Sequence, residues 1–164
     1  MTQKRTLAAV IGATAAAVVL AFTGAQEGTR NTPYRDTGNV WTVCKGQTGV
    51  PMHYYTNAQC DTMFANTLVG LATQIEGNTP GFGAMSDGVK SATLDFAYNV
   101  GFAAYTRSSY RTLLMRGDVQ AACDQLLRWK YVDGKDCSVK SNNCLGVWNR
   151  RQAERSMCRG NTVQ

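Results

Sequence analysis

Twenty consecutive positions, Thr6 to Ala25, carry no charge. A polar, glycine-rich stretch from Gly28 to Tyr55 follows, and only then do apolar residues return at helical spacing. A helix over the first run would span about 30 Å, the hydrocarbon thickness of a bilayer. Inside the polar stretch, "VWTV" is a short β-prone run between turn-rich flanks, which predicts a small β-hairpin or three-stranded sheet. Thr56 then looks like a helix cap, and Met63, Phe64, Leu68, Leu71 and Ile75 predict an amphipathic helix over about 57–76, broken by "GNTPGFG". Ser86 caps a second helix with Val89, Ala92, Phe96, Ala97 and Val100 on one face, and Gly101 ends it. A short helix over about 108–116 stops at Gly117. Asp118 opens another helix, striped by Val119, Ala122, Cys123, Leu126, Leu127 and Lys130. "VDGKDCSVKSNNC" reads as loop, and a last helix runs over about 148–159. A small β element followed by a mostly helical body makes the fold class α+β.

The N-terminal run is weakly apolar. Eight of its twenty residues are alanine, two glycine and three threonine. Leu7, Val10, Ile11, Val18, Val19, Leu20 and Phe22 contribute only about −2 to −4 kcal/mol toward insertion. Lys4 and Arg5 precede the run and predict that the N-terminus stays in the cytoplasm while the rest crosses. Such a helix can insert without being locked in. Two fates stay open: retention of the segment, or signal-peptide cleavage after Thr23-Gly24-Ala25.

Seventeen Lys and Arg against eleven Asp and Glu give a net charge of +6, spread without a dense run. A positive surface suits an acidic partner: nucleic acid, an anionic membrane or a wall polymer rich in carboxylates. No P-loop or dinucleotide fingerprint is present; of the acidic partners, the wall polymer and the membrane are expected and nucleic acid is not. Six cysteines, Cys44, Cys60, Cys123, Cys137, Cys144 and Cys158, all follow the apolar run and read as a disulfide framework in an oxidising compartment. Fifteen pairings are possible. One of them clips the hairpin to the next helix through Cys44–Cys60, closes the polar loop through Cys137–Cys144 and joins two helices through Cys123–Cys158. No Cys-x-x-Cys exists and His53 is the only histidine, so zinc is not expected and His53 reads as an ordinary loop residue.

The stretch "EG", "PYRD", "TGNVWTVCKG" resembles the phage lysozyme family, glycoside hydrolase family 24, in which a Glu and an Asp flank a short hairpin and a Thr follows. "ATLDFAYNVG", "SSYRTLLMRGD", "CDQLLRWKYVDGK" and "CLGVWNRRQAER" resemble its later helices, so the resemblance covers nearly everything from Glu27 to Cys158. The weakly apolar start resembles the signal-anchor-release endolysins of that family, exported on a membrane tether and later let go. The resemblance implies a lysozyme-like fold. It also implies that Glu27 protonates the leaving oxygen, that Asp36 stays ionised to stabilise the sugar cation and orient water, and that Thr42 holds that water. Family members of this kind invert the anomeric centre, which needs carboxyls roughly 6.5–9.5 Å apart. Gln47 stands where many relatives have histidine, at a position near the cleft with a structural or orienting role.

Among the neighbours, Tyr34 and Trp41 read as core or cleft lining, and Asn99 as a buried hydrogen-bonding residue. Arg150, Arg151 and Glu154 read as helix-surface ion pairs worth a few tenths of a kcal/mol. The alternative is that one of these arginines reaches the cleft and pairs with an acid. Residues 1–25 are then a signal-anchor-release segment and 26–164 a lysozyme-like catalytic domain. The expected function is a muramidase endolysin that cuts the β-1,4 bond between N-acetylmuramic acid and N-acetylglucosamine. It would be a monomer without metal or cofactor, held at the host inner membrane through residues 6–25 and then soluble in the periplasm. The rivals are a lytic transglycosylase, which would need one glutamate and not Asp36, and a non-catalytic peptidoglycan-binding protein with a lysozyme fold.

Overall fold

A computed structural model describes residues 5–161; Lys4, half of the expected charged flank, lies outside them. The N-terminal run does not form one helix. It folds as α1 (Leu7–Ile11) and α2 (Ala13–Glu27), broken at Gly12, whose φ of +89° only glycine adopts readily. Leu7, Val10 and Ile11 of α1 are buried where it packs on α3, and Ala15, Ala16, Val19, Thr23 and Gly24 of α2 where it packs on α4. The break lets one apolar run cover two neighbours at different angles. No helix among the described residues is long and apolar enough to cross a membrane.

Strands β1 (Arg30–Arg35) and β2 (Trp41–Cys44) form a two-stranded antiparallel hairpin, with Tyr34 opposite Thr42 and Arg35 opposite Trp41. Helix α3 (Asn57–Asn78) begins with a full capping box in which Thr56 and Gln59 satisfy each other's backbone. Helix α4 (Asp87–Val100), capped by Ser86, is the central element, with nine consecutive residues, Val89 to Ala97, buried. One apolar stripe could not predict that enclosure: α2, α3, α5 and α8 all pack around α4.

The remainder is more divided than its pattern suggested. Helix α5 (Phe102–Arg107) precedes the expected short helix α6 (Ser109–Met115). Helix α7 (Val119–Gln125) passes into a 3-10 turn at Leu126–Arg128 rather than running to Lys130, and the side chain of Asp118 makes no capping bond. The predicted loop holds a tiny hairpin, β3 (Tyr131–Val132) with β4 (Lys135–Asp136), turned at Asp133-Gly134. Helix α8 (Leu145–Cys158) starts before Trp148. Cysteines are joined as Cys44–Cys60, Cys123–Cys158 and Cys137–Cys144. A continuous core joins Ile11, Phe64, Leu68, Ile75, Leu94, Phe96, Tyr105 and Leu126, each large side chain contributing about 1.5–3 kcal/mol.

Gly88 sits where α4 crosses α8: a Cβ there would overlap the backbone carbonyl oxygen of Met157. Gly88→Ala should destabilise the protein by about 1–3 kcal/mol. That is roughly 2–10 °C in unfolding temperature, and calorimetry that found no drop would show the two helices free to part.

Candidate active site

Glu27 is the last residue of α2, and Gly28 turns the chain out of the helix into β1. The acid is therefore held at the end of a helix whose inner face is buried, and it lines a cleft of about 530 Å³ with Gly46, Gln47, Thr67, Tyr98, Asn99 and Phe102. Its Oε1 accepts a hydrogen bond from Arg150 Nη1 at 2.9 Å. The other oxygen lies toward Gly46, where a Cβ would stand 3.7 Å from Oε2 and 3.8 Å from the Tyr98 hydroxyl.

Arg150 does not lie on the surface. It is 7% exposed, and Arg151 and Glu154 are 0% exposed. The surface-pair expectation fails because α8 turns this face onto α4 and α2. Arg150 Nε and Nη2 grip both oxygens of Asp95 at 3.0 and 2.9 Å, while Nη1 reaches Glu27. Burial pushes the Asp95 carboxyl up, but the Arg150 fork more than offsets this and holds it below its ordinary range. Burial likewise opposes the Arg150 charge, yet Asp95 and Glu27 outweigh it and hold the guanidinium above its ordinary value. Asn99 is exposed in the cleft and accepts from Arg151 Nη2 at 2.5 Å, so it is not the buried residue expected.

Asp36 and Thr42 stand together on the hairpin, on a different element from Glu27. Asp36 builds its own turn: its backbone N–H donates to Val40, and its Oδ1 accepts from the Val40 N–H at 2.9 Å. Oδ2 is left over and accepts weakly from the Thr42 hydroxyl at 3.4 Å, which also reaches the Val40 carbonyl at 3.1 Å. Thr42 is 3% exposed and faces the same side of the hairpin as Tyr34, its cross-strand partner. Trp41 faces the other side, is half exposed and lies under the Arg35 guanidinium, so it is not core. Among the described residues no hydrogen bond joins Glu27 to Asp36.

Gln47 is pinned opposite β2 by reciprocal backbone bonds with Val43. Its Oε1 accepts from Thr67 at 2.8 Å and its Nε2 donates to the Tyr98 hydroxyl at 3.3 Å, which in turn donates to the Lys45 carbonyl at 2.6 Å. An uncharged amide thus ties the loop after β2 to α3 and α4. Burial, and then the Glu27 charge, push the Tyr98 phenol up, so it stays a neutral donor. His53 stacks on Tyr55 at the surface.

Two carboxylates on different elements, one at a helix end in a cleft and one on a hairpin beside a hydroxyl, fit a glycosidase site on a lysozyme-like frame. Residues 24–154 match the family described as Phage lysozyme. A SAR-endolysin from Bacteriophage PS119 is 34% identical over 160 residues, covering 93% of this chain and 90% of that protein. One from Enterobacteria phage P21 is 33% identical, covering 94% of each. The crystal structure of the active form of P1 phage endolysin Lyz superimposes with a TM-score of 0.71 at 24% identity, covering 86% of this chain and 82% of that one. The muramidase domain of SpmX from Asticaccaulis excentricus gives a TM-score of 0.71 at 18% identity, covering 85% of this chain and 93% of that one. The chain belongs to the phage lysozyme family. It is a glycoside hydrolase of the lysozyme type, with peptidoglycan as substrate.

Asp95 gives no signal in the hydrophobic pattern. It is the only charged residue in "TLDFAYNVG", and a buried acid there requires a buried cation, which "NRR" supplies. Arg150→Lys, which keeps the charge but cannot bridge Asp95 in a fork and reach Glu27 as well, should lower the unfolding temperature. It should also cut muralytic turnover by at least about tenfold. A lysine variant with wild-type kinetics would remove the guanidinium fork from the account of Glu27.

Proposed function

We propose that the protein is a phage endolysin that hydrolyses the β-1,4 bond between N-acetylmuramic acid and N-acetylglucosamine, for host lysis. Glu27 delivers the proton to the leaving oxygen, Asp36 stabilises the developing sugar cation and orients water, and Thr42 steadies that water. The observation that carries this is the placement of Glu27: one carboxylate oxygen is fixed by Arg150 and the other is turned to the cleft. The Oδ2 of Asp36, held only by the 3.4 Å contact with the Thr42 hydroxyl, supports the second role and favours the muramidase over a transglycosylase, which would leave Asp36 idle.

Glu27→Gln should abolish the release of reducing ends from purified peptidoglycan while leaving the unfolding temperature within a few degrees of wild type. A folded, active variant would sink the assignment. Asp36→Asn should lose at least about a hundredfold, and products ending in an anhydro sugar would establish the transglycosylase.

Residues 6–25 hold the enzyme at the inner membrane before release, as a continuous helix through Gly12. Several relatives are named SAR-endolysins. The weak apolarity of the segment and its small buried side chains, Ala15, Ala16 and Gly24, support a helix that can leave lipid and pack on protein. On release the segment breaks at Gly12 and α2 brings Glu27 into place. Gly12→Leu with Thr14→Leu should hold the protein in the membrane fraction and delay lysis. Timely lysis by this variant after membrane collapse would leave signal-peptide cleavage as the better account.

A further inference from the structure

Beneath Glu27 lies a buried cluster in which two cations, Arg150 and Arg151, face three carboxyls, Glu27, Asp95 and Glu154. The odd member is Glu154. It is fully buried, and neither of its oxygens accepts a hydrogen bond. Arg151 Nη2 stands 3.1 Å from Oε1 without making a hydrogen bond to it and donates instead to Asn99, while Arg151 Nε and Nη1 are unpartnered. Arg150 Nε is 3.9 Å from the same oxygen and is committed to Asp95. An ionised carboxylate in such a place would lack the hydrogen bonds that buried charge requires. A proton changes the chemistry, because a carboxylic acid can donate, and Asp95 faces Glu154 as an acceptor.

We propose that Glu154 holds a proton while Glu27 is seated on Arg150, and that neutral Glu154 is a positioning residue for the acid, so that seating Glu27 takes up one proton. This rests on the reading of Glu27 as the acid. The charge count explains the coupling. Without the end of α2, the two arginines face two carboxylates, Asp95 and Glu154, and both can be ionised. When α2 docks, Glu27 arrives as a third carboxyl and Thr23 closes over the cluster with its buried hydroxyl toward Asp95. Three carboxyls then share two cations, and Glu154 is the one that has no hydrogen bond to lose by holding a proton. If Glu154 ionises instead, it competes for both arginines and loosens the grip of Arg150 on Glu27.

The titratable groups facing Glu154 are Asp95 from α4, Arg150 and Arg151 from α8, and Tyr110 from α6; Glu27 of α2 reaches it through Arg150. Burial pushes the Glu154 carboxyl well above its ordinary range, Arg151 opposes this and Asp95 reinforces it. A carboxyl raised in the folded state stabilises the fold at low pH, and that stability is lost as pH rises through the folded-state value. Asp95, held low, has the opposite sign and loses its stability only in acid.

The chain has three glutamates, Glu27, Glu76 and Glu154, so side-chain carboxyl carbon-13 spectra of glutamate-labelled protein can be assigned with Glu27→Gln and Glu76→Gln variants. In the wild type, Glu154 should give a protonated signal at neutral pH. In Glu27→Gln its titration should move down by at least about one pH unit, because the third carboxyl is gone. Glu154→Gln, a neutral side chain that still donates, should remove the alkaline fall in unfolding temperature, whereas Glu154→Ala should lower that temperature at every pH. An ionised Glu154 signal at neutral pH in the wild type, or a titration unmoved by Glu27→Gln, overturns the proposal even if Glu154→Gln fails to fold. Should Glu27→Gln stay active, the assignment of the acid fails while the protonation of Glu154 is judged on its own signal.

Discussion

The Arg150 guanidinium, shared between Asp95 and Glu27, is the contact on which the site depends. It joins α8, α4 and α2, elements distant in sequence, through one planar group whose three nitrogens are all engaged. Burying these charges is costly, and breaking such a pair leaves an unpaired charge worth about 3–5 kcal/mol of destabilisation. The arrangement therefore requires α2 to be docked, since only then does the third nitrogen find its acid. Asp95 fixes the orientation of the guanidinium, and the guanidinium fixes Glu27.

The hairpin is organised by different means. Asp36 spends one oxygen on its own turn and keeps the other for Thr42, so the carboxylate is set by local backbone rather than by distant charges. The disulfide between Cys44 and Cys60 then ties the end of β2 to the first turn of α3, and Gln47 ties the following loop to α3 and α4. One carboxylate thus rests on the packed helical body and the other on a clipped loop. The two candidate carboxylates are thus held by independent supports.

Much of this was legible in the sequence where the signal is local. Thr56 and Ser86 cap helices as their positions predicted, and the period of Met63 to Ile75 marked α3 within a few residues. Glu27, Asp36 and Thr42 stood out through the resemblance to the phage lysozyme family and not through spacing alone; the end of α2 and the hairpin are where they lie. Features that depend on tertiary partners were not legible. Gly12 looked like one more small residue in an apolar run, yet it breaks the helix because α1 and α2 have different neighbours. Arg150, Arg151 and Glu154 have the spacing of a solvated helix face, and only the packing of α8 on α4 makes them interior.

The burial of α1 and α2 also bears on how this protein can be altered or produced. Leu7, Ile11, Ala15 and Val19 belong to the same core as Phe64, Leu68 and Phe96. The apolar N-terminal segment is thus a wall of the enzyme. A shortened form starting at residue 26 would expose the flank of α4, lose the scaffold behind Glu27 and leave Asp95 without its cover. The side chains that make this run apolar are the ones that fill the core, so few of them can change without cost to the fold.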